Sequence, residues 1–197
     1  PPGSVLVKTL SLELAGDAEA AGSDWQPIET QLLHKDGDLW RSYSYAWNDA
    51  GTDASLVPAG GSETVFQIAD PDAPDGTRRL TWRYNSRGEC LLCHNPRAGS
   101  VLGFRPQQLN REHDYDGGGA SQLATLSHIG LFADPVRSGE NPFVSPYDDA
   151  AELDRRARSY LDVNCAHCHG NGGGGTAQFL LQYNRTLEQT GLLSSTL

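Results

Sequence analysis

The first part of the chain alternates apolar and polar residues in short runs that are separated by turn residues. Residues 5–14 begin apolar and then alternate with a period of two, which is typical of a strand with one buried face. Asp36-Gly37 is a strong hairpin signal after the second run. Further strands are predicted at residues 28–33, 39–47, 64–68 and 79–84. Short strands with turns between them predict an antiparallel β-sandwich-like module over residues 1–87.

The pattern changes after residue 87 to short helices joined by loops. Helices are predicted at residues 106–111, 121–132 and 148–164. In the last of these, Leu153, Ala157 and Leu161 recur at helical spacing and form one packing face. Asp148 or Asp149 is expected to cap its start. Residues 88–197 are therefore predicted to be a small-helix region, which makes the whole chain an α+β protein.

Composition and charge narrow the class of protein. Hydrophobic residues make up 38% and charged residues 20% of the 197 residues, which is typical of a soluble globular protein. The net charge of −10 and the lack of a basic stripe argue against a nucleic-acid partner. No apolar run approaches the ~20 residues of a membrane helix. The chain starts Pro1-Pro2-Gly3, so we expect any signal peptide to be removed or to lie outside this sequence.

All four cysteines fall in two C-x-x-C-H motifs, Cys90-Leu91-Leu92-Cys93-His94 and Cys165-Ala166-His167-Cys168-His169. In such a motif each thiol can form a thioether with a haem vinyl group, and the spacing of three places both sulfurs toward one porphyrin edge. The following histidine then binds the iron from one face. The motifs predict two haem c groups, with His94 and His169 as proximal iron ligands.

A Cys₄ zinc centre is the alternative, because two C-x-x-C pairs supply four thiolates. Both pairs are followed at once by histidine, and no cysteine lies outside them. Two such motifs by chance would be very rare, so haem attachment is favoured.

Several longer stretches of the sequence are similar to one known protein family. They are residues 3–9, 28–33, 43–54, 90–94, 101–104, 108–110, 128–132 and 157–169. Together they resemble a family of secreted bacterial dihaem c-type cytochromes, which often sit beside or are fused to quinoprotein sugar dehydrogenase-like domains. The resemblance spans nearly the whole chain. It implies a periplasmic or extracellular electron carrier, with a quinoprotein dehydrogenase or a larger redox complex among its partners. It also implies the haem-linking residues Cys90, Cys93, His94, Cys165, Cys168 and His169.

The chain departs from that family in one respect. Family members usually continue past the equivalent of Leu197 into a segment with a Met-Pro-Pro run that resembles an axial methionine loop. This chain contains no methionine. A fragment, a processed form and a true variant all fit this difference.

Without methionine, the sixth iron ligands have to come from histidines or from outside the chain. The candidates, in order, are His128 on the predicted second helix, His113 in a polar loop and His34 at a strand end. Ordinary core or surface histidines are the alternative for each of them. His167 is expected to be a bystander, because its tether points it away from the distal face. Candidate partners for the haem propionates are Arg97, Arg105, Arg155 and Arg158, although a solvated face is the simpler role for any one of them.

These observations predict a β-sandwich-like module followed by a cytochrome c-like dihaem region. We expect a dihaem c-type cytochrome that carries electrons between redox partners without substrate chemistry of its own. A dihaem peroxidase-like enzyme with one open haem is the first alternative. A structural subunit that wires a larger redox complex or filament is the second.

Overall fold

The computed structural model describes residues 1–15, 25–132, 134, 136, 142–171, 173–177 and 179–193. The chain forms two compact units, Pro1–Leu92 and Cys93–Leu197. The sequence predicts a boundary after residue 87, whereas the units divide inside helix α1 (Arg87–Cys93). The first C-x-x-C-H motif therefore begins in one unit and ends in the other.

The first unit is built on a four-stranded antiparallel meander of β1 (Val5–Glu13), β2 (Trp25–Asp36), β3 (Leu39–Trp47) and β4 (Ala54–Leu56). Asp36 pairs with Leu39 at the predicted β2–β3 hairpin, where Gly37 takes a positive φ of 60°. The β1–β2 register shifts between Leu10 and Ser11, and Ser11 then pairs with Pro27. Proline cannot donate to the ladder, which accounts for an irregularity at this point.

A second hairpin of β5 (Ser62–Ala69) and β6 (Thr77–Tyr84) contributes side chains to the core beside β2. The indole Nε1 of Trp82 donates to Glu29 Oε2 at 3.0 Å, and the hydroxyl of Tyr84 donates to the Ile28 carbonyl at 3.3 Å. Glu29 is only 1% exposed, and its other carboxylate oxygen accepts from Gln31 Nε2 at 3.1 Å. A buried carboxylate is thus provided with hydrogen-bond donors from two strands.

The second unit combines short helices with one small hairpin. Its elements are a 3₁₀ turn (Pro96–Ala98), α2 (Pro106–Leu109), β7 (Glu112–Tyr115), β8 (Gly118–Ser121), α3 (Gln122–His128), α4 (Leu153–Asn164) and α5 (Leu187–Thr190). The α+β class with an N-terminal antiparallel sheet is confirmed. No helix in the described part of the chain is long and apolar enough to cross a membrane.

All three predicted helices are shorter than expected, and α2 ends at Leu109 instead of at residue 111. α3 ends at His128, and Gly130 follows with a φ of 75°, which a continuing helix does not allow. Ile129 and Leu131, in the last part of the predicted helix, are 67% and 53% exposed. α4 begins at Leu153, because Asp148 accepts from the backbone of Ala150 at 3.0 Å and forms a turn ahead of the helix.

Three short strands were not expected from the sequence. β4 has three residues, and β7 and β8 have four each. β7 is polar and acidic, and β8 contains two glycines, so neither has the alternation that marks a half-buried strand. His113 consequently lies on a strand rather than in the predicted loop.

The buried Glu29 leads to a stability prediction. Trp82→Phe keeps an aromatic ring but removes the N–H that serves Glu29 Oε2, so we expect a loss of about 1–3 kcal/mol in the free energy of unfolding. The measurement is urea unfolding followed by circular dichroism. Trp25→Phe is the matched control: Trp25 is 60% exposed, and its loss should stay within about 0.5 kcal/mol. Equal losses for the two variants would contradict the role of Glu29.

Candidate functional site

The first cysteine pair is positioned by a capped helix. At the start of α1 the backbone N–H of Ser86 donates to Glu89 Oε2 at 2.7 Å, and the backbone N–H of Glu89 donates to Ser86 Oγ at 3.1 Å. This reciprocal pair is a capping box. Hydrogen bonds from Ser86, together with one from Arg83, lower the pKa of Glu89 to about 2. Cys90 and Cys93 follow one helical turn apart, so both thiols lie on the same side of α1.

His94 comes directly after α1 and is held by the loop that follows. Its Nδ1 lies 2.7 Å from the backbone carbonyl oxygen of Ser100. A carbonyl can only accept, so Nδ1 carries the proton and Nε2 is left without one. Ser100 is buried and takes a φ of 59°, after Gly99 at 88°. The tight turn therefore directs a carbonyl at the ring, the support that metal-binding histidines usually have.

The second motif continues the chain beyond α4. The carbonyl of Cys165 accepts from the N–H groups of Cys168 and His169, at 3.1 and 2.8 Å. These bonds wind the motif into a tight turn and bring the two cysteines to the same side of it.

His169 is enclosed by its own C-terminal segment. Its ring stacks on Phe179 with 4.3 Å between centroids and 14° between planes. Its carbonyl accepts from the backbone N–H of Leu181 at 2.8 Å. The Nδ1 atom is buried and has no hydrogen-bond partner among the described residues. An unpartnered buried nitrogen costs about 1–3 kcal/mol, so Nδ1 of His169 has a hydrogen-bonding capacity that the described residues leave unused.

Glycines after the second motif pack closely on its backbone. A Cβ at Gly173 would lie 2.3 Å from the carbonyl oxygen of Cys168, and one at Gly170 would lie 2.4 Å from that of Ala166. At Gly175 the distances would be 2.7 Å to the Cys168 oxygen and 3.0 Å to His169 Nδ1. No side chain fits at these positions, so the glycines allow the chain to fold back over the motif.

The two motifs meet inside the second unit. Cys93 Sγ and Cys168 Sγ are 3.3 Å apart, and no disulfide joins them. A ring nitrogen of His167 lies near both sulfurs. These three potential ligand atoms all lie within 4.8 Å of one another. Burial, followed by the charge of the nearby His94, lowers the pKa of His167. This residue, expected to be a bystander, is therefore part of a Cys-His-Cys cluster. In the sequence, the only indication of this cluster is that His167 is adjacent to Cys168.

The ion pair of Arg105 and Asp162 borders two cavities of the second unit, and one of these cavities reaches His167 of the second motif. The Asp162 carboxylate on α4 binds the Arg105 guanidinium and accepts from the backbone N–H of Tyr183 at 2.8 Å. Both cavities share Arg105, Asp162 and Gln182 as lining. A cavity of about 220 Å³ is also lined by Arg97, Val101, Leu102 and His167. A larger one of about 910 Å³ is also lined by Phe143, Arg155, Arg158, Tyr183 and Arg185.

The three candidate distal histidines lie in different elements. His128 is the last residue of α3 and is exposed. His113 is exposed on β7, with its ring 4.6 Å from that of Tyr115 in an edge arrangement. His34 is half-buried on β2, opposite Arg41. None of them belongs to a metal-ligand cluster among the described residues, so their role as sixth ligands stays a prediction.

The donor chemistry around the motifs fits haem c. His94 has a fixed proton and an available Nε2, and His169 has a buried nitrogen without a partner. Arginines line both cavities and match carboxylates such as propionates. The larger cavity falls in the ~300–1,000 Å³ range of small-molecule sites. Residues Cys90, Cys93 and His94 would hold one haem, and Cys165, Cys168 and His169 the other.

Comparison of the chain with models of protein families, with curated proteins and with solved structures finds no match. The resemblance to dihaem cytochromes therefore stays a prediction, and the site has to be argued from its own residues.

The capping box leads to a prediction about pH. Because the pKa of Glu89 falls from 4.5 to about 2 in the folded chain, its carboxylate stabilises the fold above pH 4.5. That stability is lost as the pH falls toward 2. Glu89→Gln should lower the urea midpoint at pH 7, and the difference from the native chain should shrink below pH 4.5. Glu63→Gln is the matched control. It removes the other carboxylate near Arg83, whose Oε1 lies 3.4 Å from Arg83 Nη1, and leaves the capping box intact. A pH-independent effect of Glu89→Gln would contradict the charge effect.

The ion pair on α4 leads to a second prediction. Asp162→Asn should cost about 1–3 kcal/mol of unfolding free energy, since it removes a buried charge partner of Arg105. Asp154→Asn breaks the exposed pair with Arg158 on the same helix, 2.8 Å long, and is the matched control. Its cost should stay within about 0.5 kcal/mol. Calorimetry on both variants measures the difference, and equal costs would show that Asp162 has no special role.

Proposed function

We propose that the chain is an extracytoplasmic dihaem c-type cytochrome that carries electrons between redox partners. The observation that carries the proposal is the pair of C-x-x-C-H motifs, whose Cys93 and Cys168 sulfurs are 3.3 Å apart. Haem supplies one-electron chemistry at its iron, and the protein supplies attachment, orientation and surroundings.

The surroundings of both histidines support iron ligation. The Ser100 carbonyl fixes the His94 tautomer and restricts rotation of the ring. The stack on Phe179 does the same for the orientation of His169. A rigid ligand limits the structural change that accompanies a change of oxidation state, which suits an electron carrier.

The contact between the motifs supports a relay between two centres. Cys93 and Cys168 belong to different motifs, so groups bonded to their sulfurs would be neighbours. Neighbouring haems would exchange electrons directly rather than act as independent centres. This arrangement favours a carrier with an entry haem and an exit haem.

The arginines of the second unit support the binding of acidic groups. Arg105, Arg155, Arg158 and Arg185 all line the larger cavity. The net charge of the chain is −10, so this cluster stands out against an acidic background. Arg105 and Arg158 already pair with Asp162 and Asp154. Guanidinium groups bind carboxylates in a bidentate manner, so we assign the other two arginines, Arg155 and Arg185, to haem propionates.

The experiment is production of the full chain with export and a haem c maturation system. We expect two haems per chain that resist acid–acetone extraction, measured as a mass increase of two haems and by the pyridine haemochrome spectrum. Replacing Cys90 and Cys93 by Ala, or Cys165 and Cys168 by Ala, should each leave one haem. Leu92→Ala is the matched control, since it changes a motif position that bonds to no haem, and it should retain both. An exported chain without covalent haem would refute the proposal.

Electron paramagnetic resonance of the oxidised protein separates a carrier from an enzyme. We expect low-spin signals for both irons, broadened by the neighbouring haem. A high-spin, five-coordinate signal from one iron would favour peroxidase chemistry over electron carriage.

A further inference from the structure

We propose that the haem-free chain binds one thiophilic divalent cation, of the zinc class, through Cys93, His167 and Cys168. The proposal concerns the chain before haem attachment and does not rest on the proposed function. It assigns His167, which lies inside the second motif but is not one of its haem-linking residues, to a role of its own.

The geometry of the cluster fits a tetrahedral ion. Zinc–sulfur bonds of ~2.3 Å place two thiolates about 3.8 Å apart in a tetrahedral site. The two Sγ atoms are 3.3 Å apart, and all three ligand atoms lie within 4.8 Å of one another. An ion therefore needs a small opening of the sulfur pair and a His167 nitrogen brought to ~3.6 Å from both sulfurs. Two thiolates and one imidazole leave the fourth position for water.

The chemistry of the three donors points to the same class of cation. Thiolates select soft and borderline metals, and imidazole binds zinc as the neutral base. All three residues are half-buried, so the ligands are partly shielded while an ion can still enter. Binding of one ion would release the two thiol protons and involves no change of oxidation state.

The cluster differs from the Cys₄ centre that the two C-x-x-C pairs first suggest. It takes one cysteine from each motif and a histidine, while Cys90 and Cys165 lie outside it among the described residues. Thioether formation would consume both sulfur donors as thiolates, so cation and haem exclude each other at this site.

The test uses the full chain produced in the cytoplasm without haem maturation, fully reduced and kept free of oxygen. Co²⁺ serves as the spectroscopic probe and Zn²⁺ as its competitor. We expect one Co²⁺ per chain, with a thiolate charge-transfer band and the visible bands of a tetrahedral site, displaced by one equivalent of Zn²⁺. Alkylation of the Zn²⁺-loaded chain should label Cys90 and Cys165 and spare Cys93 and Cys168, as mapped by mass spectrometry.

His167→Gln is the decisive variant, because it removes a proposed ligand and keeps both haem motifs whole. We expect it to weaken Zn²⁺ binding at least about tenfold, as the loss of a direct ligand should exceed the tenfold loss from a supporting residue. Cys90→Ser, Cys165→Ser and His113→Gln are matched controls that should bind as the native chain does.

Three outcomes would overturn the proposal. They are equal protection of all four cysteines, which indicates a Cys₄ centre, unchanged binding by His167→Gln, and no metal uptake by the native chain. The alkylation map requires no substitution, so it decides the question even if a variant misfolds. Haem attachment to exported His167→Gln is measured separately, so a failure here leaves the proposed function standing.

Discussion

The arrangement of the second unit depends on one buried carboxylate. Asp162 has no exposed side-chain surface, and it binds both the Arg105 guanidinium and the backbone N–H of Tyr183. Asp162 thereby joins three segments that are distant in sequence. They are the start of α2, the helix α4 and the segment beyond the second motif that contains Tyr183. A desolvated charge is costly unless it is paired and hydrogen-bonded, so the fold has to keep these partners in place.

That constraint reaches the motifs through α4. Cys165 follows directly after the helix, and the chain returns past His169 to the segment that contacts Asp162. The carboxylate therefore fixes both ends of the loop that contains the second motif. At the first motif the comparable elements are local, a capping box before Cys90 and a turn that directs the Ser100 carbonyl at His94. One histidine is held by tertiary structure and the other by its own neighbours in sequence.

Local patterns predicted the strands well because their signal is local. The alternation at residues 39–47 gave β3 with the same bounds, and Asp36-Gly37 marked its hairpin. Helix ends were predicted less well, since Asp148 can cap a turn as readily as a helix. Which residues of the two motifs meet could not be predicted, because 75 residues separate Cys93 from Cys168 and no local pattern specifies that pair. For the same reason the sequence does not reveal that His167 lies beside Cys93. The six cysteines and histidines of the motifs, by contrast, can be recognised from their spacing alone.

The glycines at 170, 173 and 175 resemble a flexible linker when read as composition. Instead, a Cβ added at any of them would lie within 2.7 Å of a backbone oxygen of the second motif. Selection would then act on this segment as it acts on a hydrophobic core, by rejecting nearly every substitution. In a lineage of such proteins, the stretch that looks most like filler should be among the slowest to diverge.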